Sequence, residues 1–258
     1  MRNILAIARK ELKSYFTSPI AYIVLAIWAV IFGFFFFNAL AFFVRNSMQA
    51  DMMGRAMPMN VNEWIVRPLL MNLGVISLFL VPMITMRLYA EEKRSGTIEL
   101  LLTSPVRDLE LVLGKMLAAF LLYAAIVGIC FLNFSLLFIY GNADGKPMLG
   151  GLLGLVLMGT AFLSLGMFLS TFTRNQIIAG TLTFGLLLML WILDWAADSA
   201  SGYSSRTAEV IRYLSLTTHL ENSARGVLDL RDLVYYLSVI FLGIFLTHRS
   251  LESLRWRS

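Results

Sequence analysis

Few residues in this 258-residue chain have the types and spacing for covalent chemistry. It contains no His-Glu-x-x-His to bind zinc, no Gly-x-Ser-x-Gly to expose a nucleophile, and no pair of aspartates on facing apolar segments. The single cysteine, Cys130, lies in an apolar run, so there is no basis for a disulfide framework or a zinc site. His219 and His248 are far apart in sequence. Gly141-Asn-Ala-Asp-Gly145-Lys146-Pro147 comes nearest to a phosphate-binding loop. Such a loop needs four residues between its glycines and Ser or Thr after the lysine. Here there are three and a proline, so the segment reads as a turn.

What chemistry the chain does concentrate is non-covalent, in the segment from Met86 to Val106. Glu91, Glu92, Lys93 and Arg94 are consecutive, and Gly96-Thr97-Ile98-Glu99-Leu100-Leu101-Leu102 follows. The pattern predicts helix, break, short helix, break, helix, with the second span continuing helically through Glu91 and Glu92 to Arg94. Gly96 is a C-terminal stop, and Thr97 caps a new turn with Glu99 at its positive end. Ser104-Pro105 ends that turn and starts the next helix. Ile98, Leu101 and Leu102 make an apolar face on a helix too short to be stable alone in water. That face needs a cover, either the chain's own membrane surface or a groove on a partner, with the charged quartet at the rim. Glu91 and Glu92 are placed to hold a neighbouring helix through Arg9, Lys10 or Arg94.

The elements that position this segment are set by composition. The chain is 59% hydrophobic and only 14% charged, against about 45–50% and about 25% in soluble domains. Mean hydropathy is +0.76. A soluble enzyme, a nucleic-acid-binding domain and a disordered tail are excluded, and the net charge of +5 is read against a lipid bilayer. Six apolar runs are long enough to span a roughly 30 Å hydrocarbon core. They cover about 19–44, 69–86, 116–140, 149–172, 177–197 and 231–250, the last extended by one turn at each end of Leu233 to Thr247. With the N-terminus inside, 13 of the 21 Lys and Arg fall on the inner side and 8 on the outer, which favours both termini in the cytoplasm. Residues 2–16 read as a basic amphipathic helix in the inner interface, with Leu5, Ala8, Leu12 and Tyr15 inward and Arg9, Lys10 and Lys13 off that stripe. Gly150 and Gly154 offer close helix packing. With the last run taken as Leu233 to Thr247, Asp194 is the one Asp, Glu, Lys or Arg inside a run, beside Trp191 and Trp195 near its outer end, as expected of an aromatic belt. Ion-coupled carriers need buried carboxylates, so the energy for any work must come from another subunit. In the last outer loop, Thr218-x-x-Glu221 reads as a capping box and Gly226 as a stop, giving a short helix from Thr218 to Arg225 after an amphipathic turn at Val210, Ile211 and Leu214.

The loop after the second span resembles the cytoplasmic loop of ABC-2 type transporter permeases. The matching residues are Glu91, Glu92, Lys93, Arg94, Gly96, Thr97, Glu99, Leu100, Leu101, Ser104, Pro105, Gly114 and Lys115. Arg9-Lys10-Glu11, Pro82, Arg174-Asn175-Gln176 and the run Gly226 to Asp232 add to it. Within the family the chain looks closest to the gliding-motility and copper-nitrous-oxide-reductase-maturation permeases. The resemblance implies an all-α polytopic protein, one transmembrane domain over residues 1–258. Its parts would be six spans, an N-terminal elbow helix (Arg9, Lys10, Glu11), a cytoplasmic coupling helix and short outer re-entrant helices (Thr218, Glu221, Gly226). It implies a second permease copy or a related subunit, and a cytoplasmic ATP-binding-cassette ATPase that carries ATP and Mg. No cofactor, metal or nucleic acid is expected on this chain. The setting is a bacterial or archaeal inner membrane. ATPase coupling is expected at Glu91, Glu92, Arg94, Gly96, Thr97, Ile98, Glu99, Leu101 and Leu102. Two other classes stand beside export: a force-transmitting complex of the same family that moves no solute, and a membrane-embedded enzyme, which would need polar groups converging at one depth.

Overall fold

The computed structural model describes residues 2–17, 19–53, 60–103, 106–140, 144–200, 205–227 and 229–255. Among them every regular element is helical. In chain order these are α1 (Arg2–Thr17), α2 (Ile20–Met52), a π turn (Asn62–Val66), α3 (Arg67–Thr85), α4 (Ala90–Ser95), α5 (Thr97–Thr103) and α6 (Asp108–Tyr140). They continue with α7 (Gly145–Ser170), α8 (Gln176–Ala200), α9 (Ser205–Leu214), α10 (Leu216–Ala224) and α11 (Leu230–Arg255). Six helical segments are apolar and long enough to cross a membrane, matching the six hydropathic runs. Asp194 and Trp195 lie in α8, but their side chains fall outside the description, as do Ser104, Pro105 and the first residues of the Gly141–Pro147 segment.

The helices overrun the apolar runs at several ends. α2 continues two turns past Val44, because Arg45 to Asp51 contains no glycine or proline to stop it. α6 begins two turns before Met116, with Asp108 and Glu110 in its first turn, where carboxylates complement the helix dipole. α11 runs over 26 residues, so the short last run is a full-length helix. One expectation fails: the second span does not continue unbroken through Glu91 and Glu92. Residues 86–89 form a turn, α4 starts afresh at Ala90, and Tyr89 leaves helical geometry at φ −126°. Pro82 and Thr85 weaken the ladder just before this turn. Thr85 Oγ1 bonds back to the Val81 carbonyl, and the Leu88 amide tightens onto Thr85.

The core lies where α3, α6 and α7 meet. α7 is mostly buried, whereas α2 and α8 keep most of their apolar surface turned outward, as helices facing lipid must. α7 earns its central place with small residues. At Gly154 the backbone nearly touches Ser223 of α10, as the Gly150–Gly154 spacing suggests. A polar contact sits in this apolar interior: the Tyr123 hydroxyl lies 3.0 Å from Ser77 Oγ and donates to the Leu155 carbonyl at 3.3 Å, satisfying a buried group that would otherwise cost dearly. α1 lies across the start of α6, and α10 packs between α3 and α7 at the opposite end.

Candidate functional site

The charged segment is organised around a residue that the spacing argument does not single out as a site. Lys115, on α6, is buried to 1% exposure. Its Nζ bonds Glu92 Oε1 of α4 at 2.7 Å, the Leu88 carbonyl at 2.7 Å and Glu11 Oε1 of α1 at 3.2 Å. It also lies 5.1 Å from the Tyr89 ring centroid. One ammonium thus ties three elements at one point. The broken helix at 86–89 is what brings the Leu88 carbonyl to it.

Gly114 makes this approach possible. A Cβ there would stand 2.8 Å from Ile7 and 3.1 Å from the Ile4 carbonyl, so α1 can lie against α6 only over a glycine. The inward face of α1 accordingly differs from the expected stripe. Ala8 and Tyr15 are buried as anticipated and Leu12 is half-buried, but Leu5 is 63% exposed while Ile7 packs on the core. Glu11 falls on the buried face, toward Lys115, while Arg9 and Lys10 point to solvent. The buried Tyr15 hydroxyl reaches the Ile84 carbonyl at 3.5 Å. Burial raises its phenol well above the ordinary range, so it stays a donor.

The expected partners of the acidic pair are therefore replaced. Glu92 holds α1 through Lys115 instead of through Arg9, Lys10 or Arg94. Glu91 pairs with Arg87 one turn earlier at 2.9 Å, and Arg94 is exposed. Lys93 donates to the Thr171 carbonyl at the C-terminal end of α7, a favourable place for a cation. In the same turn, Asn175 Oδ1 accepts the Ile177 amide and caps α8.

The short helix forms where the sequence puts it. Gly96 is the C-cap of α4 at φ +72°, a left-handed position that other side chains rarely adopt, and α5 starts at Thr97. Thr97 faces back, not forward: its hydroxyl meets Ser95 Oγ at 2.8 Å. Glu99 lies in the first turn of α5, exposed. The apolar face is distributed differently from expectation. Ile98 and Leu101 are half-buried against the chain's own core, and Leu100 is the side chain turned outward, at 72% exposure. Leu102 falls outside the side-chain description. Between α1 and α5 lies a cleft of about 390 Å³, lined by Glu11, Arg87, Glu91, Glu92, Leu100 and Lys115 among others.

At the opposite end, α10 begins one turn earlier than the capping box suggests. Ser215 is its N-cap, with its hydroxyl on Thr217 Oγ1 at 2.7 Å, so Thr218 lies within the first turn. Glu221 does not reach back to a cap but pairs with Arg67 at the start of α3 and with Arg225 at 2.7 Å. Gly226 stops the helix as expected. At φ +82° it donates to the Ser223 carbonyl, and Val227 donates to Asn222, a Schellman closure. His219 is a residue that sequence reading passes over. Its Nδ1 lies 2.5 Å from Asp232 Oδ1 of α11, and its Nε2 donates to the Tyr213 carbonyl at 2.9 Å. The ring stacks on Tyr235 at 4.1 Å. This cluster clips α9, α10 and α11 together. His219 and Asp232 are 13 residues apart, and of the two only Asp232 falls in a stretch that resembles the family pattern.

Among the described residues no three His, Cys, Asp or Glu side chains converge as a metal site. The geometry joins helices and presents a surface. Residues 46–193 match the family model described as ABC-2 family transporter protein, which is more than half of the chain. The chain belongs to the ABC-2 transporter family. Being an ABC-2 protein makes it a membrane transport component of the kind that works with an ATP-binding-cassette ATPase. The matched region runs from the end of α2 through most of α8, so it contains α5 and the Glu92 and Lys115 members of the junction, while Glu11 lies before it. A search of curated proteins returns no match to this ABC-2 chain.

Proposed function

We propose that this chain is the membrane-spanning permease subunit of an ABC-2 exporter, driven by a separate cytoplasmic ATPase that holds ATP and Mg. The observation that carries the reading is the joint at Lys115. The outward-facing helix α5 follows α4 directly, and α4 is locked by one buried ammonium to the elbow helix α1 and to the span α6. A push on α5 therefore reaches two membrane elements through a stiff junction. Leu100 would enter a groove on the ATPase, with Glu99, Arg94 and Thr97 around it, while Ile98 and Leu101 hold α5 to the permease. Two permease copies, or this chain and a related one, would enclose the path, capped at the outer end by α9 and α10 as short re-entrant helices. The branch we favour is that of the gliding-motility and nitrous-oxide-reductase-maturation permeases. The same joint also serves a force-transmitting complex that moves no solute, since a push is transmitted in either case.

Glu92→Gln is the test of the joint. The variant should still bind the ATPase, because Glu92 lies behind the docking surface, but should separate ATP turnover from transport. Equal transport per ATP in wild type and variant would show that the joint carries no movement. The sidedness is tested separately. In a Cys130→Ser background, cysteines at Ala143 and Ser205 should react with an impermeant maleimide from outside the cell. Cysteines at Ser95 and Ser253 should not. Outside labelling at Ser95 would overturn the orientation and the ATPase contact together.

A further inference from the structure

A second cleft lies at the end of the bundle away from α5, between the last turns of α2, the π turn and the start of α3. Its volume is about 560 Å³, within the range of about 300–1,000 Å³ usual for small-ligand sites. The helices fix its depth in the bilayer. α2 leaves its apolar run at Val44, so Arg45 stands at headgroup level, and Trp64 is of the type that gathers there. Glu63 lines the same mouth. Deeper in the cleft, Asn38 lies about 10 Å below Arg45 along α2, and Asn72 is set about 14 Å below Glu63 along the antiparallel chain, from a rise of about 1.5 Å per residue.

These positions are unusual for a lipid-facing surface. Asn38 and Asn72 are both exposed, and an amide turned toward hydrocarbon is costly unless it finds a partner. Asn38 uses its Nδ2 on the Phe34 carbonyl at 2.7 Å, which leaves its oxygen for the cleft. Phe42 and Trp64 form one wall with stacked rings 6.1 Å apart. From the mouth inward the surfaces are a cation and a carboxylate, then the aromatic wall of Phe42 and Trp64, then the two amides. Charges of both signs above an aromatic wall match the headgroup and the upper acyl chain of a zwitterionic phospholipid. A purely anionic lipid would match Arg45 but oppose Glu63.

We propose that this cleft holds one zwitterionic phospholipid, with its phosphate on Arg45, its ammonium on Glu63 and an acyl chain along Phe42 and Trp64. The inference rests on membrane insertion alone and is independent of the ATPase reading. It is tested by native mass spectrometry of the purified chain after exchange into micelles holding equal amounts of phosphatidylethanolamine and phosphatidylglycerol. Wild type should retain phosphatidylethanolamine in about fivefold excess, the effect of one interfacial charge. Glu63→Gln should bring the ratio near one, Glu63→Asp should keep the preference, and Arg45→Gln should lower retention of both lipids. Both sites are exposed, so unchanged melting is expected throughout. Equal retention of the two lipids by wild type, or one ratio across all the variants, would overturn the proposal. So would a disulfide between two copies carrying Asn38→Cys in a Cys130→Ser background, which would place a second chain in the cleft.

Discussion

Replacing Lys115 with Met is expected to destabilise the chain more than any other single change at the joint. The long side chain is kept, so little packing is lost. What goes is the buried ammonium that two half-buried carboxylates share, Glu92 at 2.7 Å and Glu11 at 3.2 Å. Breaking a buried pair from one side costs about 3–5 kcal/mol, because the remaining charge stays in a poor solvent. A fall in melting midpoint on the order of 10 °C should follow in detergent or nanodiscs. The charge explanation is separable from packing. In a Glu11→Gln, Glu92→Gln background the same Lys115→Met change should cost far less, since no uncompensated carboxylate is left. An equal loss in both backgrounds would mean that Lys115 acts through its stem alone.

The largest effect on partner binding is expected at Leu100. This leucine is exposed on α5, whereas Ile98 and Leu101 are already partly covered by the chain itself. Burying one leucine is worth about 1.5–3 kcal/mol. Leu100→Asp should therefore weaken ATPase docking by about 10–100-fold, as each 1.4 kcal/mol is a factor of ten. Its melting midpoint should be unchanged. Ile98→Asp with Leu101→Asp should weaken docking too, and should also lower the midpoint, because those side chains hold α5 in place. Affinity measured by titrating the ATPase onto nanodisc-bound permease distinguishes the two. Undiminished binding by Leu100→Asp would assign α5 to the membrane surface instead of a partner.

These outcomes divide along the line between local and long-range physics. The six spans were legible because hydropathy over 20 residues is a strong signal, and their ends were missed where only a breaker could have marked them, as in α2 beyond Val44. Gly96 and Gly226 were legible because a left-handed stop demands glycine at the place where the pattern halts. The Lys115 joint was only half legible. The Gly114-Lys115 pair stood in the family pattern, but its partners lie 23 and 104 residues away, and no periodicity links them. α1 shows the same limit. Apolar residues at Ile4, Leu5, Ile7, Ala8 and Leu12 allow two neighbouring stripes, and the choice is made by where Gly114 lets the helix settle. In α10, Ser215 and Thr218 both offer a cap, and Glu221 is drawn to Arg67 of a distant helix instead of to its own N-terminus.

The central claim is that this ABC-2 chain transmits energy released on another subunit. Its most direct test is ATP turnover in nanodiscs, measured for the purified chain alone, for an ATP-binding-cassette ATPase from the same organism alone, and for the two together. The account predicts no turnover by the chain alone, and a stable complex whose turnover changes when α5 or the Lys115 joint is altered. Specific ATP hydrolysis by the isolated chain, or an ATPase that neither binds it nor responds to it, would contradict the account.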